Sequence, residues 1–236
     1  MKIFRFQHTY TYTEVILMGI KISHHHKILN KYISLGTNCF PRMKLNQHKI
    51  KPSKNQGELS CPFDLCVTPV ESVRAVLEND FADYFDDLQF DDERKIWKNV
   101  KYNINYLHDD LNREDFIKRY EKRIKNFRQI TSTRKNILFV QSLFNKNDDA
   151  LKECIVQINK SLKRYCKYDY KYKVINLIPH KSPSATKKIK IAKNAYYFEC
   201  VSPYDEKWTK WWTTETDNLP EVKPVIEKCI KTIYKG

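Results

Sequence analysis

The chain has 236 residues, with 4 Gly, 9 Pro, 13% aromatic residues and a formal net charge of +15. That length supports one sizeable hydrophobic core, and the composition excludes a disordered or collagen-like chain. No run of about 18 apolar residues occurs, which excludes a hydrophobic membrane-spanning helix. The lysines are spread along the chain, apart from a basic cluster in HKSPSATKKIKIAK (180–193). The charge therefore reads first as a solvated surface and only second as a nucleic-acid footprint.

The opening stretch, MKIFRFQHTYTYTEVILMGI, has no continuous apolar segment and no small-residue cleavage site, so no signal peptide is expected and the reading is cytoplasmic. Met18 offers a second start. Residues 1–28 read as a loosely held N-terminal arm ahead of a single domain over 29–236. Cysteines stand at 39, 61, 66, 154, 166, 200 and 229. Their number is odd and no CxxC pair is present, so reduced thiols are expected, with neither a metal site nor a cofactor.

YISL (32–35) predicts a short strand that stops at Gly36. FPRMKLNQ follows as a helix over about 39–48, with Phe40, Met43 and Leu45 inward and Pro41 tolerated in the first turn. HKIKPSKNQGE (48–58) is a loop. A helix over 69–78 is predicted with Thr68 as N-cap, Pro69 at N1, Glu71 completing a capping box and Val70, Val73 and Leu77 buried. The stretch 78–93 holds eight acids and no base among Phe81, Tyr84, Phe85 and Phe90. It reads as an irregular connection anchored by its rings.

Asn112 and Asp115 predict the start of a helix over about 113–130, with Phe116, Tyr120, Ile124 and Phe127 on its buried stripe. NILFVQS (136–142) reads as a doubly buried strand. A helix over about 148–164 buries Leu151, Ile155, Ile158 and Leu162. Strands follow at 171–179 and 196–201, and a last helix at about 220–234 turns Val222, Val225, Ile226, Cys229 and Ile233 to one side. Alternating strands and helices predict an α/β three-layer domain with a largely parallel central sheet.

Cys39 falls where the first strand of that pattern meets a helix. Unpaired N–H groups and the helix dipole favour a thiolate there. Gly36 supplies a tight turn, and the backbone N–H of Cys39 with the Asn38 amide offers an oxyanion site. A nucleophilic cysteine needs a base. His24, His25 and His26 form a surface run, His8 lies in the arm and His48 in a lysine-rich loop. His108, beside Asp109 and Asp110, and His180, at the carboxyl edge of the sheet, remain as candidates.

ISLGTNC (33–39), CPFDL (61–65), LENDFADYF (77–85), YLHDD (106–110) and KRYEKRIKNFRQI running into KNILFVQS (118–142) together resemble the DUF1796 family, described as papain-like cysteine peptidases. The resemblance covers about residues 30–145. It implies Cys39 as nucleophile and His108 as general base, acting on a peptide or amide through an acyl-enzyme. It also raises a papain-like α+β core as the alternative fold. Asp109 is adjacent to His108 and poorly placed to orient it, so Asp110 or Asp64 is expected as the third group. His180 stays as an alternative base.

Two other functions compete. SLGTN at a helix N-terminus, helped by Lys187, Lys188 and Lys190, could bind an anionic ligand such as a nucleotide sugar. KWTKWW (207–212) could stack on nucleic acid.

Overall fold

The computed structural model describes residues 4–8, 12–17, 20–25, 32–48, 50–51, 58–144, 149–180, 187–203, 220 and 223–234. KWTKWW, Val222 and the segment 181–186 of the basic cluster lie outside these residues, as do the side chains of His180, Val225, Ile226, Cys229 and Ile233.

The first elements are β1 (Phe4–His8), β2 (Tyr12–Leu17) and β3 (Ile20–His25). They pair antiparallel in order, for example Val15 with Ile22. The stretch read as an arm thus contains a three-stranded sheet. Its alternation of Thr, Tyr and apolar residues is a strand period, and β-branched and aromatic side chains suit a pleated surface.

The central sheet draws on β4 (Tyr32–Ser34), β8 (Ile137–Phe144), β9 (Tyr170–His180), β10 (Lys187–Lys190) and β11 (Ala195–Pro203), in the order β10-β11-β9-β8-β4. The β4–β8, β8–β9 and β9–β11 pairs are parallel, and only the β10 edge is antiparallel. This is the layered α/β arrangement rather than the α+β alternative.

Both faces of the sheet are buried. On one, Ile33, Phe139, Tyr172 and Val174 pack with Val73 and Leu77 of α2 (Val70–Glu78), Phe116 to Ile130 of α3 (Arg113–Thr133) and Leu151 to Leu162 of α4 (Asp149–Tyr165). On the other, Tyr32, Leu138, Val140, Ile175, Leu177 and Phe198 pack with Phe40 and Leu45 of α1 (Phe40–Gln47) and Ile230 of α5 (Lys223–Tyr234). Doubly covered parallel strands need near-continuous apolar runs, which is why ILFV is apolar throughout and the one polar residue of VINL, Asn176, is buried with its amide donating to the Tyr197 hydroxyl at 2.7 Å. Met43 is only half-buried, because Arg42 and Lys44 take the inward positions of α1 beside it.

The α3 start is as expected: the Asn112 side-chain oxygen accepts from the backbone N–H of Asp115 at 2.9 Å. The α2 start is not. Pro69 itself occupies the N-cap position and no side chain caps the helix. Thr68 is fully buried and bonded elsewhere.

Between α2 and α3 the chain forms a meander of β5 (Leu88–Asp91), β6 (Ile96–Asn99) and β7 (Ile104–Tyr106), of which β5 falls within 78–93, the stretch expected to be an irregular connection. The anchoring rings are as expected: Phe81 and Tyr84 are buried, and Phe85 and Phe90 are partly so. The strands are short, and left-handed residues Asp87, Lys95 and Asn103 make the turns without glycine. Asn and Asp tolerate that conformation better than other side chains, which hides such turns from a search for Gly and Pro.

Candidate active site

Cys39 closes the β4–α1 loop at the N-cap position of α1. The loop is fixed at three levels. Leu35 donates its N–H to Val140 O at 2.9 Å, which continues the sheet by one bond past β4. Gln141 on β8 donates Nε2 to Thr37 Oγ1 at 3.2 Å, and its own oxygen accepts from the Tyr172 hydroxyl. Ser142 Oγ donates to Asn38 Oδ1 at 2.8 Å, and the same oxygen accepts from Phe40 N–H at 3.0 Å.

Because the backbone N–H can only donate, the Asn38 side chain must present its oxygen to it. The planar amide then turns its Nδ2 end away, without a partner among the described residues. Asn38 precedes Cys39 in the chain, and the Cys39 N–H belongs to the helix start, where backbone donors have no partner within the helix.

Gly36 has φ +74°, and Thr37 after it φ +71°. A Cβ on Gly36 would lie 3.0 Å from Thr68 Cβ. Glycine is required there by both the backbone and the close approach. The approach lets Thr37 N–H donate to Thr68 O at 2.9 Å. One residue earlier, Val67 exchanges two backbone hydrogen bonds of 2.9 Å with Asn105 on β7. His108 lies two residues past the end of β7. The chain of contacts from Gly36 through Thr68, Val67 and Asn105 is what brings the two distant segments together.

At the end of it, Cys39 Sγ lies 3.5 Å from His108 Nε2, although the residues are 69 apart in sequence. Burial pushes the Cys39 thiol up to about 11. The expectation of a resting thiolate, drawn from the helix dipole, is therefore not met: the desolvation of the charged form outweighs one short helix end. Sγ and Nε2 lie within hydrogen-bond distance, and which of them donates is set by the imidazole tautomer.

The segment around His108 is held by its neighbour. Asp109 is buried and accepts from Arg119 Nη1, from the Tyr120 hydroxyl at 2.8 Å and from Arg123 Nη1 at 3.2 Å. Burial resists its ionisation, but Arg123, Tyr120 and Arg119 outweigh that and hold the carboxyl below its usual range. Trp97 Nε1 donates to Leu111 O at 2.8 Å, and Tyr106, Phe116 and Tyr120 pack with ring centres 4.6–4.9 Å apart. Asp109 thus anchors His108 through the backbone without touching the ring.

The other candidates are placed as follows. Asp64 is buried and bonded to Cys61 N–H at 2.8 Å and Arg42 at 3.3 Å, with Lys51 at 3.5 Å. None of its polar contacts is with His108. Asp110 is exposed and makes no side-chain bond to His108. No third group meets the imidazole among the described residues. His180 ends β9 seven residues beyond Lys173, the position level with Val140 and Ser34. At about 3.3 Å per residue its backbone lies roughly 23 Å further along the sheet.

The first turn of α1 has little left for an anion: Phe40 N–H is taken by Asn38 and Pro41 has none. Lys187, Lys188 and Lys190 sit on β10, the opposite edge from β4, four strand spacings or about 19 Å away. Among the described residues no group of three or more His, Cys, Asp or Glu could hold a metal ion. No helix there is long and apolar enough to cross a membrane.

Gln141, Ser142 and the Asp109 cluster were not picked out in the sequence. The signal for the first two was present: QS is a polar pair in the carboxyl-terminal half of an otherwise apolar parallel strand, toward the edge where such sheets build their sites.

Comparison with curated proteins and with solved structures finds no match. Residues 30–182 match the family described as "Putative papain-like cysteine peptidase (DUF1796)", and this span contains Cys39, His108, Asp109, Gln141 and Ser142. With well over half its length inside that match, the chain belongs to the DUF1796 family.

Proposed function

We propose that this protein is a cysteine hydrolase that cleaves a peptide or related amide, with Cys39 as nucleophile and His108 as general base. The observation that carries the reading is the 3.5 Å approach of Sγ to Nε2 across 69 residues of sequence.

The thiol starts protonated, so the proton passes to Nε2 as sulfur attacks the substrate carbonyl carbon. The carbonyl π-electrons move to oxygen. The Cys39 N–H and Asn38 Nδ2 are the donors that would meet this oxyanion. The imidazolium returns its proton to the leaving nitrogen as the C–N bond breaks, leaving a thioester on Cys39. Water then attacks the thioester, with His108 taking its proton and passing it back to sulfur. The exposed side of His108 gives that water a route in.

The test is turnover of a panel of peptide, simple amide and thioester substrates by the parent and by Cys39→Ala. Full loss in the variant, with thermal stability kept, supports the reading. Unchanged turnover in the variant rejects it.

A further inference from the structure

A cavity of about 500 Å³ that the hydrolytic steps do not use is lined by Arg119 and Arg123, the two arginines that hold Asp109 next to His108 in the chain. One wall is Glu58, Leu59 and Ser60; the other is Arg119, Lys122, Arg123 and Asn126. The second set falls at helical spacing on a single stripe of α3. The walls are pinned to each other by Asn126 Nδ2, which donates to Ser60 O at 3.0 Å.

The charges in this cavity do not cancel. Glu58 is matched by Lys51 at 3.1 Å. Asp109 is one carboxylate shared by two guanidinium groups. Lys122 forms no ion pair among the described residues and is exposed. One guanidinium charge and one ammonium charge are left over. Arg123 is nine-tenths buried and stacks on the Tyr120 ring with its guanidinium carbon 4.4 Å from the ring centre, so its charge is fixed and poorly screened. Arg119 keeps the rest of its fork open to solvent, the geometry that receives a carboxylate.

We propose that this cavity is a substrate subsite for an acidic side chain, so that the hydrolase prefers peptides carrying Glu or Asp near the bond it cleaves. The preference rests on the hydrolase reading for its meaning, but the binding does not need turnover. Arg119 and Arg123 hold the carboxylate adjoining His108, so a substrate carboxylate seated there lies next to the loop that carries the base. The volume matches a peptide side chain with its flanking backbone.

The experiment uses full-length Cys39→Ala and a fluorescein-labelled Glu-rich peptide with its Gln counterpart, followed by fluorescence anisotropy at physiological salt. The expected result is binding of the Glu peptide about tenfold tighter than the Gln peptide. Adding Lys122→Glu removes this preference, while Lys163→Glu, in a separate basic groove of the surface, changes it by less than about twofold. Equal binding of the two peptides overturns the subsite. So does a preference that Lys122→Glu leaves intact, or that both variants reduce alike, since that is the behaviour of overall charge. Inorganic phosphate that displaces the Glu peptide at concentrations below those needed of free glutamate overturns the carboxylate assignment. A Glu preference in this variant alongside a parent that cleaves nothing would keep the subsite and reject the hydrolase.

Discussion

The loop that carries Cys39 is fixed from below by a sheet, whereas the loop that carries His108 is fixed by a buried charge. Under Cys39, strand β8 supplies Val140, Gln141 and Ser142 in successive contacts to Leu35, Thr37 and Asn38. Beside His108, one aspartate collects Arg119, Tyr120 and Arg123 from the next helix. The first arrangement is short-range hydrogen bonding on a rigid layer, insensitive to pH and salt. The second depends on an ionised carboxylate. The proposed nucleophile and base should therefore fail in different ways when their supports are removed.

The largest effect belongs to the nucleophile itself. Cys39→Ala should lower turnover by at least about a thousandfold, measured as kcat on any substrate found, since the steps through the thioester have no substitute. Next comes the charged support. Asp109→Asn leaves Arg123 buried beside a neutral amide and should cost about 3 kcal/mol of stability, read by denaturant unfolding. The folded-state pKa of Asp109 is lowered, so its contribution is complete above the unfolded value and fades as pH falls through the folded one. The parent's advantage over Asp109→Asn should be full at about pH 6 and shrink below about pH 4. An advantage independent of pH would show that the carboxylate charge is not what holds this loop.

The sheet-side supports should give smaller effects of the opposite kind. Gly36→Ala places a Cβ against Thr68 in a left-handed backbone and should cost about 1–3 kcal/mol at all pH values, read by thermal unfolding. Ser142→Ala removes one of two donors that orient Asn38. It should cost about 1 kcal/mol of stability or less, and lower kcat more than it changes KM, because the Asn38 amide is used after attack begins. A change confined to KM would place Asn38 in substrate binding instead.

The elements that position Cys39 were legible in the sequence because each obeys a strong local rule. ILFV is apolar on both faces, and a lone glycine marks the turn before a cysteine. The supports of His108 were not, for physical reasons. The β5–β7 meander turns on Asp, Lys and Asn rather than Gly or Pro, so β5 reads as part of a charged connection and no turn signal marks the other two strands. Asp109 was set aside because neighbours in sequence rarely bond through their side chains; it acts instead through the backbone, with partners ten to fourteen residues on. Thr68 reads locally as a helix cap, and only tertiary contact with Gly36 and Thr37 shows its use. The thiol pKa followed burial, which no local pattern reveals.

The central claim is that His108 acts on Cys39, and it is tested most directly by the rate at which iodoacetamide alkylates Cys39. The rate should be followed by peptide mass mapping across pH in the parent and in His108→Ala. His108 is exposed, so the variant should fold as the parent does. The predicted result is a rate at neutral pH at least about tenfold higher in the parent. Burial holds the parent thiol up at about 11 and does the same in the variant, so without a base beside it the variant's rate should climb only as the pH rises toward that value. Equal rates and equal pH profiles in the two proteins would contradict the pairing.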